Sequence, residues 1–595
     1  MYTPVIPVAL PLLVAALLAA LNRVMPRWLA SLLAIVAAAA VAFAALSMVI
    51  FSRDAPIFVY WFGDLPPAAG AARGIGFVID NSGAMLVLLS SLLVTFSLVL
   101  SYRYFDSVGP IFQALMLVLL AAMNGFSQSG DLFNLFVFYE LMTAAAISLS
   151  VYHPDCGVPL KNVLHLGIAN VTGATLVLAG IALVYLRTGA VNMAQAGRAL
   201  ASMPSDSLIA VAFALMMCGF LMKAAIAPFH FWLPEALVAA PAPVCAVIGG
   251  IMAELGIYGA VRVYWAVFSG VLAPHSNELR NLLVAFAAVT AILGALASYM
   301  QRHLKKLLAF SIVSHSGVML LGVALLTPEA LAGASIYMMG HALLTGGLFL
   351  AAAIVVHRLG VMDELHLLGR ARHMRYAGLL FFVGAIGLAG LPPFGIFWGD
   401  VMMDGAAHRL GYYWIPWVTF LAAVLTSAAV FRFCGRVFFG WGPGADSEPL
   451  PVEAIKQHSG TPFELYAGAT LLLIAGLATG LAPRLTGAAE SAALYVQNRE
   501  AYAQRVLDNL APFPVAVHDT PAGPIDILRC LAALLIAAFV ARQTLCSPTF
   551  RRAFGRLRAL PRALHASHAG EIGESIAWLS VGLAIFMGFA FVCLR

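Results

Sequence analysis

Cys218-Gly-Phe-Leu-Met-Lys-Ala-Ala-Ile-Ala-Pro228, followed at once by Phe229-His-Phe-Trp-Leu-Pro-Glu235, is the stretch on which the fold of this chain turns. Lys223 closes an apolar run that holds no other charge. An amine in hydrocarbon is costly, so an intramembrane lysine is by default a functional group. Pro228 then interrupts the helix and frees backbone groups that need a polar or hydrated surrounding. A buried amine beside a broken helix is the sequence mark of an ion-handling membrane site.

The composition agrees. The chain has 595 residues, of which 62% are hydrophobic and only 10% charged, where a soluble protein would carry about a quarter. The 52 glycines and 31 prolines suit a helical membrane bundle. The fold class expected is therefore an all-α polytopic membrane protein. The formal charge of +6 lies mostly in connections and reads as topology, not as nucleic-acid affinity. Seven scattered cysteines form no CxxC pair, which argues against thiolate-bound zinc or iron–sulfur clusters. No dinucleotide or flavin fingerprint is present, so no cofactor, no metal and no catalytic residue are expected. Met1–Leu21 lacks a basic start and is followed by another span, unlike a cleavable signal.

Apolar runs of spanning length fall near 4–21, 28–51, 78–101, 110–127, 131–151, 161–186, 206–227, 241–268, 281–300, 306–326, 329–356, 378–404, 412–437, 464–483, 524–542 and 574–594, about sixteen helices. Lys and Arg gather after odd-numbered runs, including Arg23, Arg103, Lys161, Arg302, Arg370 and Arg552. This bias predicts an N-terminus outside the cytoplasm. Residues 438–463 and 484–523 read as peripheral, with an interfacial helix over Ala488–Leu510. The basic stretch 543–573 reads as a connector facing anionic lipid.

Ionisable groups inside the runs are the candidate site. Glu140 closes Asp131-Leu-Phe-Asn-Leu-Phe-Val-Phe-Tyr-Glu140, about 14 Å into its helix. An ion pair with Lys223 would lower the cost of both charges; the alternative is a static pair that only locks two helices. Glu254 reads as a lone carboxylate in Gly249-Gly-Ile-Met-Ala-Glu-Leu-Gly-Ile-Tyr258, where small residues allow close packing. His315 and His341 lie deep in the tenth and eleventh runs. Histidine suits a proton relay, a hydrogen-bonded structural role being the alternative. Asp400 follows a second Pro-aromatic break, Leu388-Ala-Gly-Leu-Pro-Pro-Phe-Gly-Ile-Phe-Trp-Gly-Asp400. Two interrupted helices in corresponding positions point to repeats around a transport path, and their spacing of five helices implies inverted topology.

These motifs, with Ala240-Pro-Ala-Pro-Val244, Gln301-Arg-His-Leu-Lys-Lys-Leu-Leu-Ala-Phe-Ser311, Ser314-His315 and Gly390-Leu-Pro-Pro-Phe394, occur in an order that resembles the antiporter-like subunits shared by Mrp-type cation/proton antiporters, respiratory complex I (NADH-quinone oxidoreductase) and membrane-bound hydrogenases. Thr188-Gly-Ala-Val-Asn-Met-Ala194 is most similar to the Mrp D-type subunit. The resemblance covers about residues 75–435 and implies fourteen core helices, with two inverted five-helix repeats whose seventh and twelfth helices are broken. It divides the chain into N-terminal helices at 1–109, a first repeat at 110–268, a second at 281–437, and a C-terminal extension at 438–595 with about three helices. It implies that Glu140 tunes Lys223, and that His315 and His341 lie between two half-channels. Glu254 and Thr345 stand where many members have lysine, and Asp400 where lysine or glutamate is usual.

The function expected is that of a proton-translocating subunit in a larger complex of the prokaryotic inner membrane. Protons would pass from Lys223 through Glu254, His315 and His341 to Asp400, most simply in exchange for Na+. The alternatives are a proton-pumping subunit of a complex I-like or hydrogenase complex, a non-conducting coupling subunit that keeps the fold, or an independent transporter of an organic solute.

Overall fold

A computed structural model describes residues 4–51, 57–105, 109–152, 160–443, 462–482, 484–510, 522–550 and 572–592. Most of the basic connector at 543–573, and of the polar stretch at 438–463, lies outside them.

The chain forms helices α1 (Ile6–Ala20), α2 (Arg27–Phe51), α3 (Asn81–Tyr104), α4 (Pro110–Gln128), α5 (Leu132–Ser150), α6 (Leu160–Thr188), α7 (Met193–Ala201), α8 (Ser207–Lys223), α9 (Trp232–Ala239), α10 (Ala242–Val247) and α11 (Glu254–Val263). They continue with α12 (Ser276–Met300), α13 (Leu304–Ala324), α14 (Pro328–Leu359), α15 (Arg375–Leu388), α16 (Gly395–Arg409), α17 (Ile415–Val437), α18 (Phe463–Ala478), α19 (Arg484–Gln497), α20 (Arg499–Leu507), α21 (Pro524–Cys546) and α22 (Ile572–Val592). Every predicted apolar run carries helix. Among the described residues, 11 helical segments are long and apolar enough to cross a membrane. Runs at α1, α8, α15, α18 and α22 hold shorter apolar helices, so eleven of the sixteen predicted runs reach full spanning length.

The all-α fold class holds, with one small β element added. Ile57–Trp61 (β1) and Gly76–Asp80 (β2) pair as an antiparallel hairpin, with Ile57 opposite Asp80. Asp80 then turns the chain into α3 by accepting the Gly83 N–H at 2.7 Å, an N-cap. The expected interfacial helix is also two helices, α19 and α20. Asn498 breaks it and caps the second by accepting from the Ala501 N–H at 3.0 Å. Arg505 of α20 donates to the Ile57 carbonyl at 3.1 Å, which ties this peripheral segment to the hairpin.

At the centre runs α14. Thr327 caps its start, accepting from the Ala330 N–H at 3.3 Å, and Pro328 occupies the first turn, where its missing N–H costs nothing. Gly360, at φ 68°, ends it in the left-handed conformation. Its 32 residues reach about 48 Å, more than a bilayer core needs. It packs against α13, α15, α16, α18 and α19, and its residues from Ala330 to Val356 are buried except Ser335. Polar side chains on α14 therefore face protein, not lipid.

Candidate functional site

Both predicted breaks are present. α8 stops at Lys223, and the chain turns through Ala225, at φ 53°, before a short 3-10 turn at Phe229–Phe231 and α9. The freed groups are satisfied internally, as a membrane interior demands. The Ala227 N–H donates to Thr290 Oγ1 of α12 at 3.0 Å. The Met222 carbonyl accepts the Trp232 indole N–H at 2.8 Å. At the second break α15 stops at Leu388, Gly390 takes φ 72°, and α16 begins at Gly395. There the Gly395 N–H donates to Thr479 Oγ1 at 3.1 Å, and the Trp398 indole donates to the Gly480 carbonyl at 3.0 Å.

Close glycine crossings set each break against its neighbour. Gly173 of α6 lies on Gly219 of α8, and a Cβ at Gly173 would fall 2.6 Å from the Tyr139 hydroxyl. That hydroxyl donates to the Gly219 carbonyl at 3.1 Å. At the second break a Cβ at Gly399 would fall 2.7 Å from the Gly333 carbonyl and 2.6 Å from Tyr337 Cβ of α14.

Lys223 is fully buried. Its ammonium donates to Thr143 Oγ1 at 3.2 Å and lies 4.5 Å from the centre of the Tyr139 ring, a cation–π arrangement. The expected ion pair with Glu140 is not formed: no Lys223–Glu140 contact falls within 4.0 Å. Glu140 is half-buried on the same helix as Thr143 and acts on Lys223 only through space. The physical reason is helical geometry. Thr143 and Tyr139, four residues apart, share the face toward α8 and take the ammonium between them, while Glu140 stays half-buried beside that face.

Glu254 is not alone. Its Oε1 lies 2.7 Å from His341 Nδ1, and neither side chain is exposed. Thr345 Oγ1 lies 3.2 Å from His341 Nε2. His315 stacks on His341, with ring centres 4.8 Å apart and planes at 30°. His315 Nδ1 is 2.5 Å from the Tyr337 hydroxyl, and Nε2 is 3.1 Å from Thr426 Oγ1. The Thr426 hydroxyl donates to the Ala422 carbonyl at 2.8 Å. With its hydrogen on that carbonyl the Thr426 oxygen can accept from Nε2, which assigns the tautomer in which Nδ1 accepts from Tyr337. Glu254 Oε2 has no hydrogen-bond partner among the described residues. Glu254 starts α11 directly after a π-turn at Ile248–Met252, a distortion common at functional sites. Two residues on, Gly256 presses on the backbone of Phe220 and Ala224, which brings the Glu254 helix against the end of α8.

Asp400 lies next to Gly399, on the helix packed against Tyr337. It is buried, and its Oδ1 has no hydrogen-bond partner among the described residues. Asp404, one turn on, forms an ion pair with Arg529 of α21. The structure thus joins Glu254, His341, His315 and Tyr337 into one buried polar row, with Lys223 and Asp400 at its flanks. No hydrogen bond among the described residues links Lys223 to Glu254 or Asp400 to Tyr337. Thr143, Tyr139, Tyr337, Thr426, Asp404 and Arg529 join the candidate site although the sequence reading does not single them out. Asp404 and Arg529 do carry a legible signal, as charges inside apolar runs.

The C-terminal helices lie against the breaks. Cys530 of α21 packs with Phe397 and Val401 at the second. Gly582 of α22 sits against Pro228 and the Phe229 ring at the first.

The chain is 29% identical over 447 residues to the D-type subunit of a Na(+)/H(+) antiporter of Bacillus subtilis (strain 168), covering 73% of this chain and 86% of that one. It is 29% identical over 493 residues to NADH-quinone oxidoreductase subunit N of Desulforudis audaxviator, covering 81% and 96%. Among solved structures, a chain of the Mrp complex from Dietzia sp. superposes with a TM-score of 0.75 at 27% identity, covering 85% of this chain and 99% of that one. Residues 129–426, which hold all six predicted site residues, match the family described as NADH:quinone oxidoreductase/Mrp antiporter, TM, and this chain is a member of that family.

Proposed function

We propose that this chain is the proton-carrying, D-type subunit of a multisubunit membrane complex that exchanges a monovalent cation, Na+ in the simplest case, for protons. The observation that carries this reading is the buried row Glu254–His341–His315–Tyr337. Each of its members can take or give a proton, and it lies between two broken helices with Lys223 on one side and Asp400 on the other. The row also speaks to the unusual residues. Glu254 and Thr345 do not leave a gap, because both bond His341. The stacked histidines pass no hydrogen bond to each other, so transfer between them uses a ring rotation or a water. Glu140 tunes Lys223 through space. The relatives named as D-type antiporter subunits and the Mrp fold support this reading.

The test is proton flux in everted vesicles holding the whole complex. Lys223→Ala should cut cation-driven proton exchange roughly hundredfold, the range of a lost proton-transfer group; unchanged exchange would overturn the role given to Lys223. Full transport by the Glu254→Gln/Asp400→Asn double variant would instead identify a non-conducting coupling subunit. A second reading, a proton-pumping subunit of a redox-driven complex, is favoured by the match across 96% of a NADH-quinone oxidoreductase subunit N. Purification of the native complex separates the two: small membrane subunits mark the antiporter, redox-active subunits the pump. The same proposal puts the N-terminus outside the cytoplasm of an inner membrane, on the bias of the basic connections, and divides the chain into four units at 1–109, 110–268, 281–437 and 438–595. Accessibility labelling from either side of the membrane checks that orientation.

A further inference from the structure

Asp400 and Asp404 lie one turn apart on α16, 6% and 4% exposed, a spacing that puts like charges on one helix face. Each has an Oδ1 with no hydrogen-bond partner among the described residues. The other oxygen of Asp404 is held by Arg529, which comes from α21, outside the residues that match the family. Arg529 is 22% exposed and Cys530 beside it is packed against Phe397 and Val401, so the guanidinium is delivered by a docked helix. The other titratable groups around the two carboxyls are Tyr337 on α14, His408 on α16, and Asp526 and Cys530 on α21.

We infer that Arg529 is a positioning residue that fixes Asp404 as an anion, so that Asp400 alone takes up and releases the proton at this end of the path. The assignment rests on the chain carrying protons, as proposed above. With Arg529 in place, the three groups alternate between a net charge of zero, when a proton sits on the Asp400 carboxyl, and minus one, when it has left. Without Arg529 the same release would place two carboxylates side by side in a poorly hydrated site, and Asp400 keeps its proton. Without Asp404 the guanidinium is free to pair with Asp400 and holds it ionised. Removing both partners restores the original alternation.

The test is a charge-pair cycle in everted vesicles containing the full complex, with complex abundance measured in the same membranes. Arg529→Gln and Asp404→Asn should each slow proton exchange roughly tenfold. The double variant should recover to within about threefold of the parent, which non-additivity between coupled sites allows. Arg529→Lys, which keeps the charge, should retain at least about a third of the rate. The assignment is overturned by full-rate exchange in Arg529→Gln, by a double variant no faster than the singles at equal complex abundance, or by loss of exchange in Arg529→Lys. If Lys223→Ala leaves exchange untouched, it is the proton-carrying reading that fails. If Lys223→Ala is inactive and the double variant shows no recovery, that reading stands and the role of Arg529 falls.

Discussion

The two broken helices solve the same backbone problem and differ in charge. At the first, the free amide is taken by Thr290 of a transmembrane core helix, and the site group is an amine held by a neutral hydroxyl and an aromatic face. At the second, the amide is taken by Thr479, next to α18 near the start of the C-terminal extension, and the site group is a carboxyl beside a second, ion-paired carboxyl. The first break finds its backbone and charge partners within the family core, and the extension only covers its flank through α22. The second depends on the C-terminal extension, for its backbone through Thr479 and for its charge through Arg529. Two breaks can therefore share one backbone solution while each acquires its own electrostatics.

Four experiments press on this contrast, from the largest effect to the smallest. Lys223→Ala and Asp400→Asn compare the breaks directly: each removes the group that carries the proton and should cost roughly hundredfold in exchange rate. A loss of about tenfold or less at Asp400 would show that it does not alone carry the proton at its end of the path. Tyr337→Phe removes the donor to His315 Nδ1 and should slow exchange several-fold at normal complex abundance, since the ring contacts survive; an unaltered rate would detach Tyr337 from the path. Thr290→Ala and Thr479→Ala each leave a buried N–H unpaired, at about 1–3 kcal/mol, and should lower the melting temperature of the detergent-purified complex by similar amounts. A much larger drop at one site would show that the two backbone solutions are not equivalent. Thr143→Val removes the hydroxyl that accepts from Lys223 while the Tyr139 ring remains, and should change the exchange rate by about twofold. A tenfold effect would make Thr143, and not the aromatic face, the principal partner.

Rarity decides what the sequence makes legible. A lysine or a Pro-Pro pair inside an apolar run has few explanations, so the breaks, Lys223 and Asp400 stand out. The apolar runs mark the helices for the same reason. The pairings do not stand out, because they join residues far apart in the chain: Glu254 meets His341 across 87 positions and His315 meets Thr426 across 111. Glu254 looks solitary because the π-turn before it, which re-aims the start of α11, leaves no sequence mark beyond Gly249-Gly250. Complementary charge suggests a Glu140–Lys223 pair, and helix rotation decides for Thr143 instead. The hairpin of β1 and β2 is hidden by its brevity; Arg529 is visible as a charge inside an apolar run, but its partner Asp404, 125 positions away, is not.

Gly582 of α22 rests on Pro228 and Phe229, although the ribosome makes these residues hundreds of positions apart. During synthesis the first break is therefore inserted long before its cover exists. A nascent subunit would present the interrupted helix to lipid or to its neighbours until α22 has been made. A segment translated hundreds of residues later thus seals the one that handles charge.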